Sequence, residues 1–537
     1  MMTQQASIRP YLSQAYLFGL MMMAVGLTLS PFLMGMANFW LVLVWVFECF
    51  STKTFKNKLS RFWHYTPAVL LAAFYLLHVI GLLWTSDFQY ALKDLRVKLP
   101  ILVLPFILSS MEPLDRKRFD QLMTVYVVSV FIATLFSFSV YLKHDYEDIR
   151  EISRFISHIR FCLHIVFCIV VVAWYFVRSV RGQRSLSQPK SRFRITVLLQ
   201  MALILWFVSQ LYIFESLSGY VALATVVVVS AIYAFLRWKQ GRGWRIAVAG
   251  IAVAMVAAAV IVVVDEVKPL LKVETVDFKT LDQKTAQGND YWHDTIHNPV
   301  EDGQYVGLYI CRKELQENWP MLSDHPFDGT TENGENLEAT LVRYLASKGL
   351  RKDAEGLKAL TPEDIRNIEQ GVANYNNWKH PGLRARLSST MFEYNLYRRY
   401  NDPNGGSLSQ RIEFTRASFH IIGQQPWFGV GTGDVPLAFS EAYDEIHSPL
   451  KEEYRFRSHN QYLAIAVAFG LVGLVFFLFV LLYPCFASRR SHTYLYIVFL
   501  GIMLVTMLAE DTLETQAGAS LFAFFEALLL CGVERKD

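Results

Sequence analysis

Charge is scarce in this chain. Asp, Glu, Lys and Arg supply 18% of its 537 residues, against 53% hydrophobic. Soluble domains carry about a quarter charged residues, so the shortage excludes an ordinary soluble protein and points to a chain that crosses a membrane many times. Cysteine is scarce as well. Cys49, Cys162, Cys168, Cys485 and Cys531 lie in apolar runs, and only Cys311 lies outside them, so no disulfide can form within the long polar stretch. Buried, inert thiols are expected. No C-x-x-C pair, D-x-D pair or H-E-x-x-H motif stands in the polar parts, so no metal ligand set is legible. Repeats and low-complexity tracts are absent. No small-residue cleavage site follows the apolar run from Tyr16, which therefore reads as a first spanning helix and not as a secretory signal.

Long apolar runs are what the sequence has in their place. Twelve candidate spans lie near 14–31, 33–50, 67–84, 97–110, 119–142, 158–178, 194–213, 216–236, 245–264, 460–484, 492–509 and 514–532. The expected fold is an all-α polytopic membrane protein of about twelve transmembrane helices with one large, mainly helical extracytoplasmic loop domain. Its parts are a bundle over 1–264 with about nine spans, a loop domain over 265–459, and three more spans over 460–537. Cations set the orientation. Lys53, Lys56, Lys58 and Arg61, then Arg116, Lys117 and Arg118, then the groups Arg181–Arg194, Arg237–Arg245 and Arg489–Arg490 fall on one side. Acids such as Asp145, Glu147 and Asp148 fall on the other. Both termini are expected in the cytoplasm and the long loop outside.

Within that loop the first part shows no sustained period and reads as irregular. ENLEATLVRYLASKGL has helical spacing and a glycine stop. Thr361-Pro362-Glu363-Asp364 reads as a helix start, with a cap, a first-turn proline and acids at the positive end. Leu383–Tyr400 and Ser409–Ile422 read as two further helices.

The candidate chemistry gathers between Arg411 and Gly473. On the helix over 409–422, Arg411, Thr415 and Ser418 share one face. Arg411 is either a solvated surface charge or a guanidinium aimed at a phosphate. Arg416 reads as pairing with Glu413 or an acidic neighbour. Pro426-Trp427-Phe428-Gly429-Val430-Gly431-Thr432-Gly433 resembles a phosphate loop only loosely, since it follows a helix and lacks the lysine. A tight turn packing backbone against the bundle is the better account. Ser458 can cap the next span, placing His459 and Asn460 in its first turn, where free N–H groups and Arg455 and Arg457 would attract an anion. Cationic neighbours favour a neutral His459 that can accept a proton. In the membrane, Arg154, Arg160 and His164 open a span. Ionisable groups there default to functional hypotheses, and Arg160 is the favoured lumen-facing cation. Glu510, Asp511, Glu514 and Gln516 cluster at an outward turn with their role open.

RIEFTRASFHIIGQQPWFGVGTGD followed by SHNQYLAIAVAFGLVGL resembles the O-antigen ligase/polymerase superfamily, in a branch common in Bacteroidetes-type bacteria. The closing AEDTLETQAGASLFAFF fits that branch. The resemblance implies transfer of a glycan from an undecaprenyl-diphosphate carrier to an acceptor hydroxyl at the periplasmic face of the inner membrane, without metal or cofactor. By position, His459 would activate the acceptor and Arg411 would hold the diphosphate, with Arg455, Arg457, Asn460 and Arg416 as further substrate contacts. Many relatives carry S-R-x-G at the start of a central span. The comparable place here is Glu215-Ser216-Leu217-Ser218-Gly219-Tyr220, without arginine, and Arg160 is the candidate replacement.

Ligation to lipid A-core is the first reading. A polysaccharide polymerase or protein O-oligosaccharyltransferase of the same superfamily is the alternative, so the acceptor is lipid A-core, a glycan or a protein. Membrane lipid is the surrounding partner and nucleic acid is not expected. A lipid-linked glycan transporter or flippase is the rival from another class. The large outward loop and the lack of paired broken spans in two halves weigh against it. A scaffold would leave Arg411 and His459 dispensable.

Overall fold

A computed structural model of the chain describes residues 2–143, 149–182, 190–237, 243, 250, 254–255, 257, 260–261, 264–268, 270, 272–404, 406–487 and 493–534. The ninth expected span, 245–264, lies mostly outside these residues. So do Arg184, Lys239, Arg242, Arg245, Arg489 and Arg490, and the acids Asp145, Glu147 and Asp148. The molecule is an all-α membrane protein. Among the described residues, eight helices are long and apolar enough to cross a bilayer: Arg9–Leu29, Pro31–Thr52, Thr66–Trp84, Arg116–Lys143, His158–Arg181, Phe193–Ile213, Leu217–Leu236 and Gln461–Ala487. Two further apolar helices, Tyr494–Thr506 and Gln516–Leu530, are shorter. The expected span at 97–110 is the apolar end of a longer helix, Phe88–Ser110, whose first turns carry Lys93, Asp94, Arg96 and Lys98.

The chain divides into two compact units. One comprises Met1–Val253, Phe414–Ile446 and Phe456–Asp537; the other comprises Ala254–Glu413 and His447–Arg455. In the first, helices α1 (Met2–Leu29), α2 (Pro31–Thr52), α3 (Phe55–Trp63), α4 (Thr66–Ile80), α5 (Phe88–Ser110) and α6 (Arg116–Lys143) are followed by α7 (His158–Gly182), α8 (Lys190–Ile213) and α9 (Leu217–Arg237). The C-terminal helix Gln516–Leu530 packs on α5, and Tyr494–Thr506 packs on α9. Gln516–Leu530 is buried along most of its length, which explains how this short, mostly apolar segment persists as a helix inside the bundle.

The helix Gln461–Ala487 is broken at Gly470, where φ is +64°. The Pro-Gly turn fills that break. Val430 N–H donates to Val467 O (3.0 Å) and Gly431 N–H to Ala468 O (2.9 Å), while Leu471 N–H donates to Pro426 O (2.8 Å). The turn thereby satisfies backbone groups that a kink frees inside an apolar bundle. A Cβ on Gly429 would stand 2.4 Å from Val467 O, and one on Gly470 2.2 Å from the Trp427 carbonyl carbon, so glycine is required at both. The glycines serve backbone packing, as the sequence pattern suggests.

In the second unit, Leu315, Trp319, Leu337, Leu341, Tyr344 and Ile368 form the centre of an apolar core. The expected starts and stops are present: Thr361 and Asp364 make a reciprocal capping box, Gly349 follows Leu337–Ser347 at φ +69°, and Leu383–Tyr400 is helical throughout. The third expected helix extends over Ser407–Gln424. A two-residue antiparallel hairpin, Val300–Glu301 with Gln304–Tyr305, turns on Asp302 and Gly303, both at positive φ. All six cysteines are free thiols, and Cys485 alone is not fully buried.

Candidate functional site

Residues 455–460, just ahead of the helix Gln461–Ala487, are not helical. Asn460, not Ser458, caps this helix: its Oδ1 accepts from Leu463 N–H at 3.1 Å, and its Nδ2 donates to Leu508 O at 2.9 Å. The helix therefore starts two residues later than the sequence suggests. His459 and Asn460 stand ahead of the helix because the Asn460 side chain reaches the first-turn amide, and both ends of that amide are engaged in backbone bonds. Ser458 is buried, and its hydroxyl donates to Asn460 O at 2.9 Å.

These bonds leave His459 in the left-handed region, at φ +45°. Non-glycine residues held there are uncommon, and such strain concentrates at functional sites. The imidazole packs against Phe414 (ring centroids 5.4 Å apart) and Phe456 (6.3 Å) and keeps about a third of its surface exposed, at 35%. Its Nδ1 lies 3.5 Å from Oδ1 of Asp511, a carboxylate only 7% exposed. Arg457 stands on the other side of that acid, with Nη2 3.8 Å from Asp511 Oδ2 and Nη1 3.2 Å from Glu514 Oε2. The acidic turn that carries Asp511 and Glu514 therefore supplies the partners of the His459 segment.

Behind it lies a buried ionic cluster. Lys98 is 2% exposed and bridges Asp94 (2.6 Å) and Glu514 (2.7 Å). Glu514 also accepts from Gln461 Nε2 at 3.0 Å, while Gln461 Oε1 accepts from Leu513 N–H at 2.6 Å. Arg457 donates to the Tyr90 hydroxyl at 3.0 Å. Tyr90, Asp94 and Lys98 recur every four residues on one face of α5. With His78, whose buried Nε2 has no hydrogen-bond partner, they line a narrow cavity of about 10 Å³. The sequence reading did not single out Lys98 or Asp94. Their signal was present, two opposite charges four residues apart at the head of an apolar run, where ionisable groups are costly.

Other expected site residues lie elsewhere. Arg411 is half-buried in the second unit on the helix Ser407–Gln424, and Arg455 of that unit donates from Nε to Leu450 O at 3.1 Å. Arg416 is exposed on the same helix as Arg411, in the portion that belongs to the first unit. Glu413 accepts from the Tyr397 (2.5 Å) and Ser448 (2.6 Å) hydroxyls. Ser418 is buried with its hydroxyl on Phe414 O. Arg160 opens α7, with Nη1 3.3 Å from Ser157 Oγ and a buried Nε without a hydrogen-bond partner. Among the described residues, no hydrogen bond or ion pair joins Arg160 to the His459 cluster. His164 is buried against the Tyr126 hydroxyl at 2.9 Å, a packing role.

His459, Glu510 and Asp511 offer ligand atoms within 4.8 Å of one another, a grouping that no local spacing in the sequence reveals. The Arg457 guanidinium beside Asp511 already supplies positive charge there, which opposes cation binding. No curated protein matches the chain. Residues 381–478, which include Arg411, the Pro-Gly turn and His459, match the family model described as O-antigen ligase. That match supports membership of the O-antigen ligase superfamily.

Proposed function

We propose that the protein is a membrane glycosyltransferase that moves a glycan from an undecaprenyl-diphosphate carrier to an acceptor hydroxyl. Membership of a family of ligases and polymerases supports the reaction class. The observation that carries the reading is His459, held at φ +45° with Nδ1 facing the buried Asp511. A carboxylate at Nδ1 orients the ring and leaves Nε2 to take a proton, the arrangement that general-base catalysis needs. Nδ1 makes no hydrogen bond in the free protein, and catalytic hydrogen bonds often tighten only once substrate binds.

In the proposed step the acceptor oxygen attacks the anomeric carbon as its proton passes to His459 Nε2. The bond from that carbon to the diphosphate oxygen breaks, and the lipid diphosphate leaves from the opposite face, which inverts the centre. Arg411 is assigned to the leaving diphosphate by its place in the family motif, where a guanidinium would offset developing charge. Arg160 is the proposed second cation. Lipid A-core is the first acceptor proposed; the polymerase and protein-glycosylating alternatives use the same step. The large loop is assigned to the periplasm and both termini to the cytoplasm by the distribution of cations.

The test is glycan transfer in reconstituted membranes, with purified undecaprenyl-diphosphate-linked oligosaccharide and candidate acceptors, in EDTA. Wild type is expected to transfer, and His459→Ala and Arg411→Ala to fail at equal folded protein. A single added glycan marks ligation and a ladder marks polymerisation. Movement of labelled lipid between leaflets without transfer would replace the enzyme reading with transport. Loss of wild-type activity in EDTA, restored by a divalent ion, would assign the His459–Glu510–Asp511 grouping to a metal.

A further inference from the structure

The bundle holds a second polar cavity, at the end of α5 remote from the His459 cluster. Met111, which lines it, follows Lys98 by 13 residues (111 − 98), about 20 Å along a helix. The cavity measures about 170 Å³, below the roughly 300–1,000 Å³ of drug-sized sites. That size suits a compact head group.

Its lining is unusually cationic. Arg9, Lys58, Arg61 and Arg118 face Glu48 and Glu112, a surplus of two positive charges (4 − 2). Lys58 is 3% exposed, pairs with Glu48, donates to the Tyr16 hydroxyl at 2.9 Å, and lies over the Tyr16 and Trp45 rings at 5.3 and 5.4 Å. Lys58 and Glu48 thus neutralise each other at the floor. Arg118 donates to the Ser13 hydroxyl, and its Nε lies 3.8 Å from Asp115, whose Oδ1 caps the first turn of α6. Arg9 and Arg61 are exposed.

A second observation points the same way. Helix α3 opens on this cavity through Thr54 and Asn57. Thr54 makes no capping bond; its hydroxyl is turned to that of Thr52, at 2.7 Å. The first-turn N–H groups of α3 therefore present partial positive charge to a cavity already rich in guanidinium.

We propose that this cavity binds a phosphate ester, supplied by a lipid head group or by a free phosphate. Arg9 and Arg61 clamp the oxygens, and the uncapped start of α3 donates from the backbone. The site does not depend on the glycosyltransferase reading.

Full-length protein in phosphate-free detergent would be titrated with inorganic phosphate against chloride at matched ionic strength, by calorimetry. Bound lipid would be counted by native mass spectrometry with phosphatidylglycerol and a phosphate-free galactolipid. The test variant is Arg9→Gln with Arg61→Gln, both exposed, which spares the buried Lys58. The control is Lys93→Gln with Arg96→Gln, an equal charge change at the other end of α5. One-site binding of either phosphate probe is expected, about tenfold weaker in the test variant and unchanged in the control. Saturation by inorganic phosphate identifies a free phosphate; retention of phosphatidylglycerol alone identifies a lipid. No saturable binding of either probe, or equal weakening in both variants, overturns the proposal.

Discussion

Both compact units bury lysine, and two of these side chains, Lys98 and Lys352, are held differently. Lys98 in the bundle, 2% exposed, sits between the carboxylates of Asp94 and Glu514. Lys352 in the second unit, 4% exposed, donates to the carbonyl of Leu308 at 3.0 Å. A buried ammonium between two acids is a fixed charge that can organise its surroundings, here Arg457, Gln461 and the segment carrying His459. A buried ammonium on a carbonyl is poorly compensated. Burial pushes Lys352 down to about 8, with Glu274 opposing the shift. Burial alone therefore does not mark a functional lysine; the charges around it decide.

The largest expected effect lies where the bundle cluster ends. His459→Asn retains a residue that tolerates positive φ but removes the proton acceptor. Transfer rate is expected to fall by about 10²–10⁴-fold with the melting temperature unchanged. An equal fall in melting temperature would make His459 a structural residue. Next comes Lys98→Met, which strands two buried acids. About 3–5 kcal/mol of stability should be lost, read by unfolding in detergent, and a loss below 1 kcal/mol would show that water reaches the cluster.

Lys352→Met should act in the opposite direction. The folded group ionises near 8 and the unfolded group near 10.5, so between those values the unfolded chain binds more protons and wild-type stability rises with pH. The variant should be more stable than wild type at pH 7, with its advantage shrinking from pH 8 to 10.5. A difference that does not vary with pH would mean that Lys352 is neutral throughout or well solvated. Smallest of all is Arg312→Ala. Its bonds to Asp328 (2.7 Å) and Glu338 (2.8 Å) lie at the surface, with the arginine 57% exposed, so unfolding should not change measurably.

Much of the framework was legible. Apolar runs of spanning length and the Thr361 capping box depend on contiguous residues, so local chemistry decides them. The Pro-Gly turn was legible as a packing device because glycine at that density permits close backbone approach. The start of the helix Gln461–Ala487 lies two residues beyond the expected one because Ser458 and Asn460 are both good caps, and only Leu508 and Leu463, which hold the Asn460 amide, break the tie. Asp511 was seen, but its partner was not.

The sequence by itself determined the helical membrane class, the long polar insertion and the family-like segment from Arg411 to Gly473. Tertiary structure decided that His459 is strained, that Asp511 faces it, and that Lys98 and Glu514 anchor the segment behind it. The physical reason is range. Helix and turn preferences act over a few residues, whereas an ion pair between residues hundreds of positions apart exists only once packing has excluded water and brought the two charges together.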